Sequence, residues 1–137
     1  MSISINGVNH FAVSVANMEE SIAWYERIFG FKAVNRDTIP ATGAQVCHMQ
    51  APGFLFELFY LPDSAPLPEH RKSPNTDMFT QGNLHISFGV PDAHILIESL
   101  KEMGVNIAFI AEVNNTYGVF INDNTGNLIE LFEEGVS

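Results

Sequence analysis

The chain is nearly two copies of one pattern laid end to end, and that constrains it more than any other feature. His10 and His85 are 75 residues apart, Gly30 and Gly104 are 74 apart, and Glu57 and Glu130 are 73 apart. Pro52-Gly53 stands before the first acidic strand and Thr125-Gly126 before the second; Phe59 matches Phe132. Each half reads strand, helix, then three strands. A duplicated supersecondary unit is a stronger constraint than any single residue, because equivalent positions in the two copies should do equivalent work.

The first half starts with a strand from about Val8 to Val15. By strand parity His10, Ala12 and Ser14 share one face, and Phe11, Val13 and Val15 share the other. The bulky face should pack under a helix, and the small residues beside the histidine should leave space open. Asn17 caps the following helix with Glu20 three residues on; Ile22, Tyr25, Ile28 and Phe29 line it, and Gly30 ends it. Trp24 and Tyr25 read as core aromatics. Strands follow near Phe31 to Thr38, Gln45 to Gln50 and Phe54 to Leu61. In the second half Leu84 to Val90 is the first strand, with His85, Ser87 and Gly89 on one face. Asp92 caps a helix lined by Leu96, Leu100 and Met103 and stopped by Gly104. Strands then run near Val105 to Ala111, Tyr117 to Asn122 and through Asn127-Leu128-Ile129-Glu130-Leu131-Phe132, with Asp123-Asn124-Thr125-Gly126 as a turn.

Two acids look out of place. In Phe54-Leu55-Phe56-Glu57-Leu58-Phe59-Tyr60-Leu61 seven of eight residues are apolar or aromatic, and Glu130 sits in a similar run. A carboxylate in such a strand is costly unless it is paired, protonated or bound to a metal. The duplicated histidines answer the duplicated acids, so His10, Glu57, His85 and Glu130 are expected to meet at one divalent ion. Two imidazoles and two carboxylates suit Zn, Ni, Co, Mn or Fe(II). His48 and His94 fall outside the repeat pattern. His94 belongs to the first turn of the second helix, in an exposed place, and His48 flanks a strand.

Composition closes off other classes. With six Lys plus Arg against sixteen Asp plus Glu, the net charge of −10 disfavours nucleic acid and anionic membranes as partners. One cysteine, Cys47, excludes an internal disulfide and points to a reducing compartment such as the cytoplasm, with Cys47 an ordinary core thiol. No signal peptide is expected at the N-terminus. No serine lies in a nucleophile elbow and no glycine-rich phosphate loop occurs. From Pro62 to Gly82 runs one long irregular stretch with four of the seven prolines. Its Glu69-His70-Arg71-Lys72 reads as a solvated loop, with Arg71 or His70 reaching an anionic substrate as the sharper alternative.

Val8-Asn9-His10-Phe11-Ala12-Val13, the helix end Trp24-Tyr25-Glu26 to Phe29-Gly30-Phe31, Leu84-His85-Ile86-Ser87-Phe88 and Asn124-Thr125-Gly126-Asn127-Leu128-Ile129-Glu130-Leu131 together resemble the vicinal oxygen chelate superfamily. That superfamily includes glyoxalase I, methylmalonyl-CoA epimerase, bleomycin and fosfomycin resistance proteins and extradiol dioxygenases. The resemblance covers about Val8 to Glu133. It implies an α+β fold of two tandem βαβββ modules, about 6–62 and 83–134 of one domain over 1–137. The eight strands would form a cupped mixed sheet around a metal cavity with helices outside, often in a homodimer. His10, Glu57, His85 and Glu130 match the four metal positions. A glutamate at position 57 looks more like glyoxalase I than like the dioxygenases, which would use only His10, His85 and Glu130.

The implied activity is a metal-dependent lyase or isomerase acting on a small molecule. The metal would polarise vicinal oxygens and stabilise an enediolate, and Glu130, or else Glu57, would move the proton. A ring-cleaving Fe(II) dioxygenase and a non-catalytic resistance-type binder are the alternatives. Ala12, and Leu58-Phe59-Tyr60 without an amide, do not match the residues that hold glutathione.

Overall fold

The computed structural model describes residues 1–135 and falls into two compact units, Met1–Ser64 and Ala65–Ser137. The eight strands form two four-stranded mixed sheets, one per unit.

In the first unit β1 (His10–Ser14) leads into helix α1 (Met18–Phe29), and β2 (Lys32–Ile39), β3 (Ala44–Ala51) and β4 (Phe54–Tyr60) follow. The sheet order is β1-β4-β3-β2. β1 lies parallel to β4, a pairing that requires a crossover, and α1 begins that crossover. The expected cap is present: the Asn17 side chain accepts from the Glu20 amide at 3.0 Å. Gly30 ends the helix at φ 69°, a left-handed conformation that glycine adopts without steric cost. Strand parity sorts the side chains. Cys47, Met49, Phe56 and Leu58 are fully buried, and Tyr25 of α1 packs its ring 4.7 Å from that of Phe56.

The second unit repeats the topology. β5 (Ile86–Val90), α3 (Ala93–Glu102), β6 (Ile107–Val113), β7 (Thr116–Asn122) and β8 (Leu128–Glu133) give the order β5-β8-β7-β6, again with the first strand parallel to the last. Asp92 caps α3 by accepting from the His94 and Ile95 amides. Even the irregularities repeat: the β2–β3 register shifts between Ala33 and Asn35, and the β6–β7 register between Ile107 and Phe109. β5 is shorter than expected, so His85 stands one residue before the strand.

The stretch 62–82 is less irregular than its prolines implied. It contains a single 3₁₀ turn (Glu69–Lys72) and a short helix, α2 (Pro74–Asp77), with Pro74 in the first turn, where its missing N–H has no helical partner to lose. Among the described residues no helix is long and apolar enough to cross a membrane.

Candidate functional site

The acids do not lie in the core. Glu57 alternates with the buried Phe56 and Leu58, and so it projects from the opposite face of its sheet, where its side chain is 17% exposed. Glu130 alternates in the same way with the buried Ile129 and Leu131 and is 16% exposed. The expectation of a carboxylate immersed among apolar neighbours is therefore corrected: residues adjacent in a strand point to opposite sides, and the apolar neighbours belong to the other face.

Each unit brings its own histidine to its own glutamate. In the first unit β1 and β4 are neighbours, Ala12 stands opposite Glu57, and His10 reaches the carboxylate diagonally, with Nε2 at 3.8 Å from Oε1. In the second, Ser87 stands opposite Glu130, and His85 Nε2 lies 3.8 Å from Oε1. The small residues beside the histidines, Ala12 and Ser87, are exposed on that face, and the Glu57, His85 and Glu130 side chains are partly covered.

The His10 pair carries a further signal. Asn9 Oδ1 lies 2.7 Å from His10 Nδ1. An amide oxygen only accepts, so Nδ1 carries the proton and donates, and in the neutral ring Nε2 keeps its lone pair. With the ring neutral, that lone pair and the Glu57 carboxylate face each other at 3.8 Å. Two such lone-pair donors attract a cation to the space between them. Donors about 2.1 Å from one ion are separated by about 3.0–4.2 Å, depending on the angle they subtend, so 3.8 Å fits. The nitrogen and oxygen donors suit a borderline divalent ion. Among the described residues, however, no group of three or more His, Cys, Asp or Glu is arranged to hold an ion by itself. What each unit displays is a donor pair.

His48 is the functional candidate that sequence reasoning set aside. It lies on β3 directly opposite Glu57, and its Nε2 is 2.9 Å from Glu57 Oε1. The register was recoverable: Pro52-Gly53 forms a two-residue loop between Ala51 and Phe54, and counting outward from it pairs 48 with 57. His94 is exposed, as expected, with its ring 4.0 Å from that of Tyr117 in an edge contact. His70 is exposed as well. Arg71 is engaged within its own unit, with Nε 3.5 Å from Asp77 Oδ1 and a terminal nitrogen donating to the Asn83 carbonyl. Burial pushes the Cys47 thiol above its usual pKa, partly opposed by Arg36 across the β2–β3 ladder.

A repeated βαβββ unit with a His–Glu pair on the open face of each sheet defines a protein of paired modules. A family model described as the Glyoxalase/Bleomycin resistance protein/Dioxygenase superfamily matches residues 7–131. The chain belongs to that superfamily. Similar solved structures include a glyoxalase family protein from Enterococcus faecalis (18% identity, TM-score 0.78, covering 93% of this chain and 98% of that one). Another is the trypanothione-dependent glyoxalase I of Leishmania major (21% identity, TM-score 0.70, covering 91% and 84%). A third is the fosfomycin resistance protein FosX from Listeria monocytogenes (16% identity, TM-score 0.67, covering 95% and 93%). At these identities the likeness concerns the fold.

Proposed function

We propose that the protein is a metal-dependent lyase or isomerase of the glyoxalase type, acting on a small molecule with two adjacent oxygens. In this reading His10, Glu57, His85 and Glu130 hold one divalent ion. The observation that carries it is the 3.8 Å separation of His10 Nε2 from Glu57 Oε1, repeated between His85 Nε2 and Glu130 Oε1. Retention of a carboxylate at both repeat positions favours this reading over a dioxygenase, for which Glu57 would have no metal role.

When bound, the ion would supply Lewis acidity to the substrate oxygens. The chain's own part is binding, orientation and proton movement. His10 is oriented by Asn9, and Glu57 by its strand and its neighbour His48. Glu130 is assigned the proton transfer. Its carboxylate stands on an open face, and a carboxylate that reaches a carbon beside a carbonyl can take a proton there and return it to the neighbouring carbon.

The test pairs elemental analysis with turnover. Stripped protein is reloaded with Ni, Zn, Co, Mn or Fe(II) and assayed on 2-oxoaldehyde adducts of several thiols and on catechols with an oxygen electrode. The expected result is ion-dependent, oxygen-independent conversion of a thiol adduct. Glu130→Gln should lower kcat by about 10²–10⁴-fold, the usual share of an acid–base group. Oxygen uptake with a catechol would contradict the reading. The homodimer belongs to the same proposal, and sedimentation equilibrium tests it: a single species of twice the chain mass is expected, and a monomer would contradict it.

A further inference from the structure

Glu57 and Glu130 hold equivalent places in the two units, yet the strand beside each one differs. On β3 the residue opposite Glu57 is His48; on β7 the residue opposite Glu130 is Phe120. One step further along the same face, Val46 of the first unit corresponds to Gly118 of the second, since Val46 pairs Phe59 and Gly118 pairs Phe132. Each difference acts on the carboxylate. Glu57 Oε1 receives a hydrogen bond from His48 Nε2 at 2.9 Å. An ionised carboxylate only accepts, so this nitrogen is the donor. The Glu130 carboxylate instead lies over Gly118, where a Cβ would stand 2.8 Å from its Oε2. Phe120 offers it no polar atom and makes an edge contact with His85, ring centres 4.9 Å apart. The His48 ring lies 5.8 Å from that of His10, against the same carboxylate, and its Nδ1 is buried without a hydrogen-bond partner among the described residues.

We propose that His48 is a positioning residue that fixes the Glu57 carboxylate for ion binding. It makes the two repeat-related glutamates unequal: Glu57 carries a hydrogen bond from the strand beside it, whereas Glu130 rests over Gly118. The inference rests on the metal reading above. His48 takes one lone pair of Oε1 and would leave the rest of the Glu57 carboxylate available to an ion. A hydrogen-bonded partner of a ligating carboxylate characteristically contributes about 10–100-fold to metal affinity.

The experiment is Co(II) titration of the stripped full-length protein by calorimetry and by visible absorption, in wild type, His48→Phe and His48→Gln. Phenylalanine is the residue the other unit carries at this place, and glutamine keeps an N–H donor of similar reach. The expected result is one Co(II) per chain in all three, with affinity about 10–100-fold weaker in His48→Phe. His48→Gln should recover most of the loss, and thermal unfolding of the metal-free proteins should be alike. Adding Glu57→Gln should cost less affinity in the His48→Phe background than in wild type, whereas Glu130→Gln should cost the same in both. Unchanged affinity in His48→Phe would overturn the inference while leaving the metal reading intact. Loss of stoichiometric binding in both variants would overturn it too, by making His48 a ligand. Failure of the wild type to bind any of the five ions would remove the metal reading itself, and the inference with it.

Discussion

Gly118 sets how Glu130 can sit. Its Cα leaves the space that the carboxylate fills, and the residue needs no left-handed backbone, so an alanine there strains nothing but the glutamate. Gly118→Ala is expected to keep or slightly raise the unfolding free energy, by less than about 1 kcal/mol, while weakening ion affinity and turnover by displacing Glu130. Isothermal titration and urea unfolding on the same sample check this; unchanged affinity would show that Glu130 has no fixed place to lose. Cys47 supplies a pH prediction. Burial raises its folded pKa above the unfolded value of about 8.5, so this contribution to stability is complete below that value and is lost as pH rises through the folded pKa. Melting temperature should fall between about pH 8 and 10 by more in wild type than in Cys47→Ala, read by differential scanning fluorimetry. His48 marks where residue-scale reading of the sequence stopped. Its absence from the repeat conceals its contact with Glu57 on the neighbouring strand, a pairing that appears only when the Pro52-Gly53 loop is used to count register.

At the scale of elements, most boundaries follow from short signals. Asn17, Asp92, Gly30 and Gly104 were legible because a cap is a contact within about four residues. Asn17→Ala should cost about 1 kcal/mol in urea unfolding. The turn before β8 is more demanding. Asp123 is buried, and its Oδ1 accepts from the backbone amides of Thr125, Gly126 and Asn127, each at 2.9 Å. Asp123→Ala is expected to cost about 3 kcal/mol, because several buried amides lose a charged acceptor at once, and Asp123→Asn less, because one oxygen remains; equal losses in the two would contradict this account. The proline-rich stretch was the hardest to read. Its order comes from contacts that composition does not encode: Arg71 meeting the buried Asp77, and the Asn122 side-chain amide donating to the Lys72 carbonyl 50 residues away.

Over the whole molecule, the duplication is what made the fold readable. Two sheets with the same strand order, the same parallel closing pair and the same register shift are what near-constant spacing implies. It also carried the donor set, since a histidine on the first strand and a glutamate on the last become neighbours in each unit once those strands pair. The repeat was less informative where the copies diverge, at Val46 against Gly118 and His48 against Phe120, because a symmetric pattern hides its own exceptions. These exceptions distinguish two otherwise equivalent glutamates and so bear on the chemistry. An ion bound only by the folded chain should raise its stability by about 2.7 kcal/mol at 100 times the dissociation constant, visible as a higher melting temperature on adding Ni or Zn.

The central claim is that both donor pairs serve one ion. Equilibrium dialysis of the stripped protein followed by elemental analysis tests it most directly. One equivalent of metal per chain is predicted for the wild type, and almost none for either His10→Ala or His85→Ala. Two equivalents in the wild type, or a full equivalent surviving in either variant, would show that the pairs act separately and would contradict the account.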